Sequence, residues 1–510
     1  MKYHYSLPVI AICLPFILWA VCEIQPTFDD YTSLQSPWWV QIADPGYFFP
    51  DSVRRPFDAL LGGIVGWQPR LFPTLNHVLI ILGHTASTLL VYALCQRLLV
   101  GNASKHGKQT ALAINIATLF FFFSPATLGV TLACDGFNQT YAQLWGLLAL
   151  WTYRPKGSRW LLCVLLAVLS KENGLAWAVV PPLVAYAFSL TDRRQAIHDV
   201  CKGLLLALAY MLLFSTLALT GMLEYAEEYS DATLMSHVKD FVQLMAYTWV
   251  PLDYVSAVYA PSRNMTIVII TALMALPFLF LLASRWRLLL TRRLLLLVAC
   301  FFILVSPHLV TVVSIMHNYA ALSIAAIIVA TLLSSTPPLG PTGRLRSLSE
   351  QELHRSTQRD ACGAFRSKNS SAPQLLNYSL FALFLAAALF TDAHHYLAAR
   401  ESGLLGKHLA MQAIEAADRP LQRAFVISIE DPEEPHYSSF CVRPADTFGW
   451  GLAVRHYTGY TWKTAITEAK FDHYDPALVQ AVSDSALYAG NEAVWLVGHK
   501  ADSLTIFSAH

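Results

Sequence analysis

Long runs of apolar residues separated by short polar stretches fill most of this chain. They fall near 6–22, 72–94, 110–130, 138–153, 160–170, 174–190, 201–221, 264–284, 293–313, 317–335 and 374–391. Most are long enough to cross, or nearly cross, ~30 Å of hydrocarbon as a helix. The pattern predicts an all-α polytopic membrane protein of about eleven transmembrane helices. Lys171 and Glu172 interrupt the run 160–190, which is read as two helices meeting at one membrane face. After the last run the period changes. Ala424–Ile429, Ala493–Val497 and Leu504–Phe507 read as short buried strands. Residues 392–510 are therefore expected to form a small α/β domain outside the membrane.

Charge gives the spans a direction. Arg97, Lys105 and Lys108 share one loop, Arg154, Lys156 and Arg159 a second, and Arg193, Arg194 and Lys202 a third; Arg285, Arg287, Arg292 and Arg293 mark a fourth. The stretch 336–373 adds Arg344, Arg346, Arg355, Arg359, Arg366 and Lys368, and its Ser, Pro and Gly content suits a flexible loop. Basic loops stay cytoplasmic. The intervening loops carry Asp29, Asp30, Asp44, Asp51, Asp58, Asp135, Glu224, Glu227, Glu228 and Asp231. This alternation predicts a cytoplasmic amino terminus and an extracytoplasmic tail. The two long outer segments, 23–71 and 222–263, mix aromatic residues with charge, as helices lying in the interface plane do.

Composition agrees with this class. Hydrophobic residues make up 55% of the 510, charged residues only 14%, and the mean hydropathy is +0.44. A soluble domain carries roughly 25% charged residues. The net charge of +1 points to no particular partner, and nucleic acid is not an expected one. Nine cysteines lie scattered, without a CxxC or Cys/His cluster, so neither a disulfide framework nor a zinc site is indicated. A nucleotide-phosphate loop is missing as well, which argues against an ATP-driven pump.

The polar residues on the acidic side are chemically suggestive. Asp29 and Asp30 follow the first span; Arg54 and Arg55 lie in the first outer segment; Asn76, His77 and His84 sit on the second span. Asp135 and Asn138 stand between the third and fourth, Lys171 and Glu172 between the fifth and sixth, and His308, His317, Asn318 and Tyr319 flank a later outer turn. Ionisable groups at membrane depth are costly and usually face a cavity. Carboxylates, cations and amides at one face can bind a phosphate and move a proton. Plainer roles fit each taken singly: a cap for the Asp pair, an interface turn for Lys171-Glu172, a core histidine for His84, snorkelling for Arg54 and Arg55.

Several of these stretches resemble the GT-C superfamily of polytopic glycosyltransferases, nearest the bacterial relatives of protein O-mannosyltransferases and the tetratricopeptide-containing O-mannosyltransferases. The resemblance is carried by Phe28-Asp29-Asp30-Tyr31, Arg55-Pro56, Phe72-Pro73-Thr74-Leu75-Asn76-His77 with Gly83-His84, and Leu169-Ser170-Lys171-Glu172-Asn173-Gly174, and it covers roughly 1–335. It implies a GT-C-like core, a bacterial inner membrane location and a polyprenyl-phosphate-linked sugar as donor, with a protein, lipid or glycan as acceptor. It further implies that a carboxylate of the first outer loop, Asp29 or Asp30, acts as base or holds a divalent metal such as Mg or Mn. Lys171, Arg54 and Arg55 would then bind the donor phosphate. Glu172, His84, His77, Asn76, Asp135, His317 and Tyr319 would complete the pocket. Relatives often place an Arg-Tyr pair at the start of a late span; Met316-His317-Asn318-Tyr319 keeps the Tyr without the Arg, and no tetratricopeptide array follows. A secondary transporter or flippase for a lipid-linked or anionic substrate is the alternative; it predicts internal repeats and midplane charges.

Overall fold

The computed structural model describes residues 4–24, 74–100, 107–133, 136–219, 234–251, 279–310, 315–334, 372–417, 419–429, 448, 452–459, 461–498 and 503–508, with 273 and 276. Helices dominate: α1 Ser6–Val21, α2 Thr74–Val100, α3 Gly107–Phe122, α4 Phe137–Thr152, α5 Arg159–Ser170, α6 Val180–Ala187, α7 Arg193–Leu219, α8 Leu234–Trp249, α9 Arg292–Val305, α10 Tyr319–Ser334 and α11 Ala372–Glu415. Among the described residues five helical stretches are long and apolar enough to cross a membrane: Thr74–Val100, Lys108–Thr131, Arg193–Thr216, Met316–Ser334 and Tyr378–Glu415. The other predicted runs that fall on described residues form shorter helices. The division at Lys171 is a case in point. α5 has 12 residues and α6 has 8, with a tight 3-10 segment, Glu172–Ala178, between them. At 1.5 Å per residue α5 rises only about 18 Å.

α10 is the axis of the bundle. Every residue from Tyr319 to Leu333 is buried. Ala320, Ala321, Ala325, Ala326 and Ala330 keep its surface narrow, so that neighbouring backbones come close, as small residues do in membrane bundles. α7 is the opposite case. Leu204, Leu205, Leu208, Leu212 and Leu213 are exposed along it. An apolar face of this kind needs lipid or protein to cover it.

One end of the bundle is basic. Arg97 donates to the Trp151 and Tyr153 carbonyls at 2.6 and 3.3 Å, which ties the end of α2 to the end of α4. Arg292 donates to Ser189 Oγ at 2.9 Å and joins the start of α9 to the end of α6. The loops grouped by charge in the sequence thus meet in space.

Close approach also fixes the 172–178 segment. A Cβ on Gly203 of α7 would stand 1.8 Å from the Ala178 carbonyl oxygen, and one on Gly146 of α4 would enter the Trp177 indole. Gly203→Ala should therefore force α7 off this segment and destabilise the protein by about 1–3 kcal/mol. A thermal midpoint equal to that of the wild type would show that the approach is looser than this.

The tail holds a mixed four-stranded sheet of β1 Arg423–Ile429, β2 Ala465–Phe471, β3 Ala493–Val497 and β4 Leu504–Ser508, in the order β2-β1-β3-β4. The first three strands run parallel and β4 is antiparallel to β3. Alternation along β1 and β3 divides the core. Ala424, Val426, Trp495 and Val497 pack on Phe448, on Val454 of α12 (Leu452–Tyr457), and on Leu409, Ala410 and Ala413 of α11. Ile427, Ile429, Val494 and Leu496 pack on Val479 and Ala486 of α13 (Pro476–Tyr488). Asp475 caps α13 by accepting from the Ala477 and Leu478 amides, ahead of Pro476 in the first turn.

The tail differs from the sequence reading in two places. β2 does not stand out in the sequence, because Thr467, Glu468 and Lys470 interrupt its apolar residues, as polar and charged residues do on many edge strands. The helix that carries the last predicted span runs past 391: α11 continues to Glu415 and is one wall of the α/β core. The boundary drawn at 392 falls inside this helix.

Candidate functional site

At the end of the bundle away from Arg97 and Arg292, four chain segments converge around Lys171. α5 ends at Ser170, and Lys171 leaves it in an extended conformation, φ −158° and ψ 143°. The chain then turns back at once: the Gly174 amide donates to the Lys171 carbonyl at 2.9 Å. Gly174 has to be glycine here, since a Cβ would fall 2.4 Å from the Ala167 carbonyl carbon. This tight turn points the side chains of Lys171 and Asn173 at the start of α4.

Lys171 Nζ donates to Asn138 Oδ1 at 3.1 Å, and Asn173 Nδ2 donates to Gln139 Oε1 at 2.9 Å. Asn173 Nδ2 is also 3.1 Å from His308 Nε2, which accepts if its proton is on Nδ1. The His308 ring stacks on His317, centroids 4.3 Å apart and 14° from parallel. Both imidazoles lie within electrostatic reach of Lys171. Asn138 and Gln139 hold their places because Gly136 lets the preceding turn touch the chain; a Cβ there would be 2.0 Å from the Val130 carbonyl oxygen. Asn138 orients the Lys171 ammonium, so one cation, three amides and two imidazoles share a small volume. That set is suited to an oxyanion.

Depth matters as much as composition. A chain entering a membrane at Arg159 would turn at Lys171 after about 18 Å of helix, short of the ~30 Å hydrocarbon layer. A charge at that level needs polar company, and these neighbours supply it.

The remaining predicted residues divide into groups. His84 and Tyr319 belong to each other: Tyr319 Oη donates to His84 Nδ1 at 2.8 Å, and His84 Nε2 donates to the Phe122 carbonyl at 3.1 Å. With both nitrogens engaged by protein and the ring stacked on Phe122, His84 is a satisfied core histidine. His77 is fully buried, with Nδ1 3.3 Å from the Thr131 carbonyl. Thr131 Oγ1 in turn accepts from Tyr396 of α11 at 2.8 Å. Asn76 is half-buried beside it. Glu172 opens the 3-10 segment next to Lys171. Asp29, Asp30, Arg54, Arg55 and Asp135 lie outside the described residues. Among the described residues no group of three His, Cys, Asp or Glu side chains could hold a metal ion.

Sequence reasoning did not single out Gln139, Thr131, Asp392 or Tyr396, and it quoted Asn173 only as part of the stretch around Lys171. Gln139 and Asn173 adjoin residues that it did single out, and only the fold gives them partners. Asp392 carried a usable signal: it is a carboxylate just past an apolar run, and it is buried one turn before Tyr396. Comparison with family models, with curated proteins and with solved structures yielded no match to this chain.

Proposed function

We propose that this protein is a membrane glycosyltransferase that moves a sugar from a polyprenyl-phosphate-linked donor to an acceptor protein, lipid or glycan at the extracytoplasmic face of a bacterial inner membrane. In this reading the amino terminus is cytoplasmic, the chain crosses about eleven times, and the sheet domain lies outside. The observation that carries it is the Lys171 cluster, in which the ammonium bonded to Asn138 stands beside Asn173, His308 and His317.

The chemistry needs an anion site and a base. As the bond from the sugar's anomeric carbon to the phosphate oxygen breaks, negative charge grows on the phosphate. Lys171 stabilises that charge, with Arg54 or Arg55 as a second cation. The acceptor hydroxyl oxygen forms the new bond to the anomeric carbon and gives its proton to Asp29 or Asp30. Two adjacent carboxylates split in affinity for protons, which keeps one of them ionised as the base. Asp29 is assigned as base and Asp30 as the group that orients it.

The test is turnover in proteoliposomes with a radiolabelled polyprenyl-phosphate sugar and a hydroxyl acceptor. Release of polyprenyl phosphate and labelling of the acceptor are expected, from the face opposite the 101–106 loop only. Movement of intact donor across the bilayer without bond cleavage would establish the flippase reading instead.

A further inference from the structure

The basic end of the bundle holds a cleft of about 410 Å³ that the proposed chemistry does not use. It lies between the end of α6 and the start of α9, and is lined by Ser189, Thr291, Arg292, Arg293 and Thr331 among apolar residues. α9 separates it from the Lys171 cluster: Arg292 begins this helix and His308 follows its other end.

The two guanidiniums are held without being neutralised. Arg292 lies over the Tyr186 ring, 4.6 Å from its centroid, and Arg293 over the Phe188 ring at 4.8 Å. Arg292 also donates to Ser189 Oγ at 2.9 Å. Among the described residues the ion pairs are His198–Asp199, Lys202–Asp199, Lys407–Glu23, Arg419–Glu492 and Lys470–Glu468, so no carboxylate faces either arginine. Ser189 adopts a left-handed φ of +58°, unusual for a residue with a side chain, and this turn presents it to Arg292. Arginines that merely snorkel need no cleft, no hydroxyl partner and no strained turn. Two planar guanidiniums on aromatic faces beside hydroxyls form a bidentate oxyanion receptor, and phosphate is the group that such forks match.

We propose that this cleft binds a phosphate group, as the headgroup of an anionic phospholipid or as a soluble phosphate, at the end of the bundle opposite the Lys171 cluster. Its position at the edge of the apolar helices favours the lipid source.

The test uses the full chain in nanodiscs of phosphatidylcholine containing a minor fraction of phosphatidylglycerol, with retained lipid read by native mass spectrometry. A parallel arm titrates inorganic phosphate against the protein in phosphate-free detergent and reads thermal stability. Phosphatidylglycerol retention by the wild type, reduced roughly tenfold or more in the double variant Arg292→Gln/Arg293→Gln, supports the site with a lipid source. An arginine-dependent stabilisation by inorganic phosphate without lipid retention supports it with a soluble source. The variant Arg292→Lys/Arg293→Lys preserves the charge that orients the chain, so it should fold, and it should bind between the other two because lysine lacks the fork. If retention and phosphate stabilisation are both indifferent to all these substitutions, the cleft is not a phosphate site.

Discussion

Lys171→Ala is expected to lower sugar transfer by about 10²–10³-fold, the usual effect of removing one preorganised donor from a developing oxyanion. The fold should survive. Lys171 bonds to a neutral amide, Asn138, at 3.1 Å, and follows a helix whose last turn is closed by backbone. Loss of such a contact costs about 0.5–1.5 kcal/mol. A structural lysine would behave in the opposite way, with the midpoint falling and the specific activity of the folded fraction intact. Lys171→Arg separates charge from shape. It keeps the cation but replaces a compact ammonium with a planar fork, so partial activity is expected. A stable Lys171→Ala protein with full transfer activity would remove the phosphate role and the site with it.

The second large effect is expected at Asp29 and Asp30. Asp→Asn keeps size and most hydrogen bonding and removes basicity. The variant that loses the base should fall by about 10²-fold or more, and its neighbour by less. Caps make a contrary forecast, because Asn caps a helix about as well as Asp. If the pair only caps a helix or lies in a solvated loop, both Asn variants should match the wild type in stability and rate. A chelator arm divides the remaining cases: activity lost only in one variant and unmoved by chelator means a proton acceptor, whereas activity lost to chelator means that the pair holds a metal. Unchanged transfer in both variants would take this stretch out of the chemistry.

Some of the architecture was legible in the chain because it follows from solvent. Apolar runs must become helices with their backbone groups paired internally wherever water is absent, and this marked Thr74–Val100, Lys108–Thr131, Met316–Ser334 and the start of α11 in advance. Basic loops were assigned to one side, and Arg97, Arg154, Arg292 and Arg293 do gather at one end of the bundle. The three apolar strands were visible by the same logic; β2, one of the two edge strands, was not, since three of its seven residues are exposed and none is fully buried.

The site was legible only as a set of residue types. Lys171 stood out because a charge interrupts an apolar run, a fact of composition. That Asn138 orients it, that Asn173 bridges Gln139 and His308, and that His308 stacks on His317 depend on which helix ends meet. Contacts between residues 33 to 135 positions apart leave no periodic trace. His84 shows the converse. The sequence allowed a core histidine or a pocket residue, and its tertiary partners, Tyr319 and the Phe122 carbonyl, engage both nitrogens. The sequence by itself determined where the chain can enter hydrocarbon, because transfer free energy is a sum over neighbouring residues. Only the tertiary structure decided which polar groups meet one another, because hydrogen bonding depends on distance and direction between segments remote in the chain.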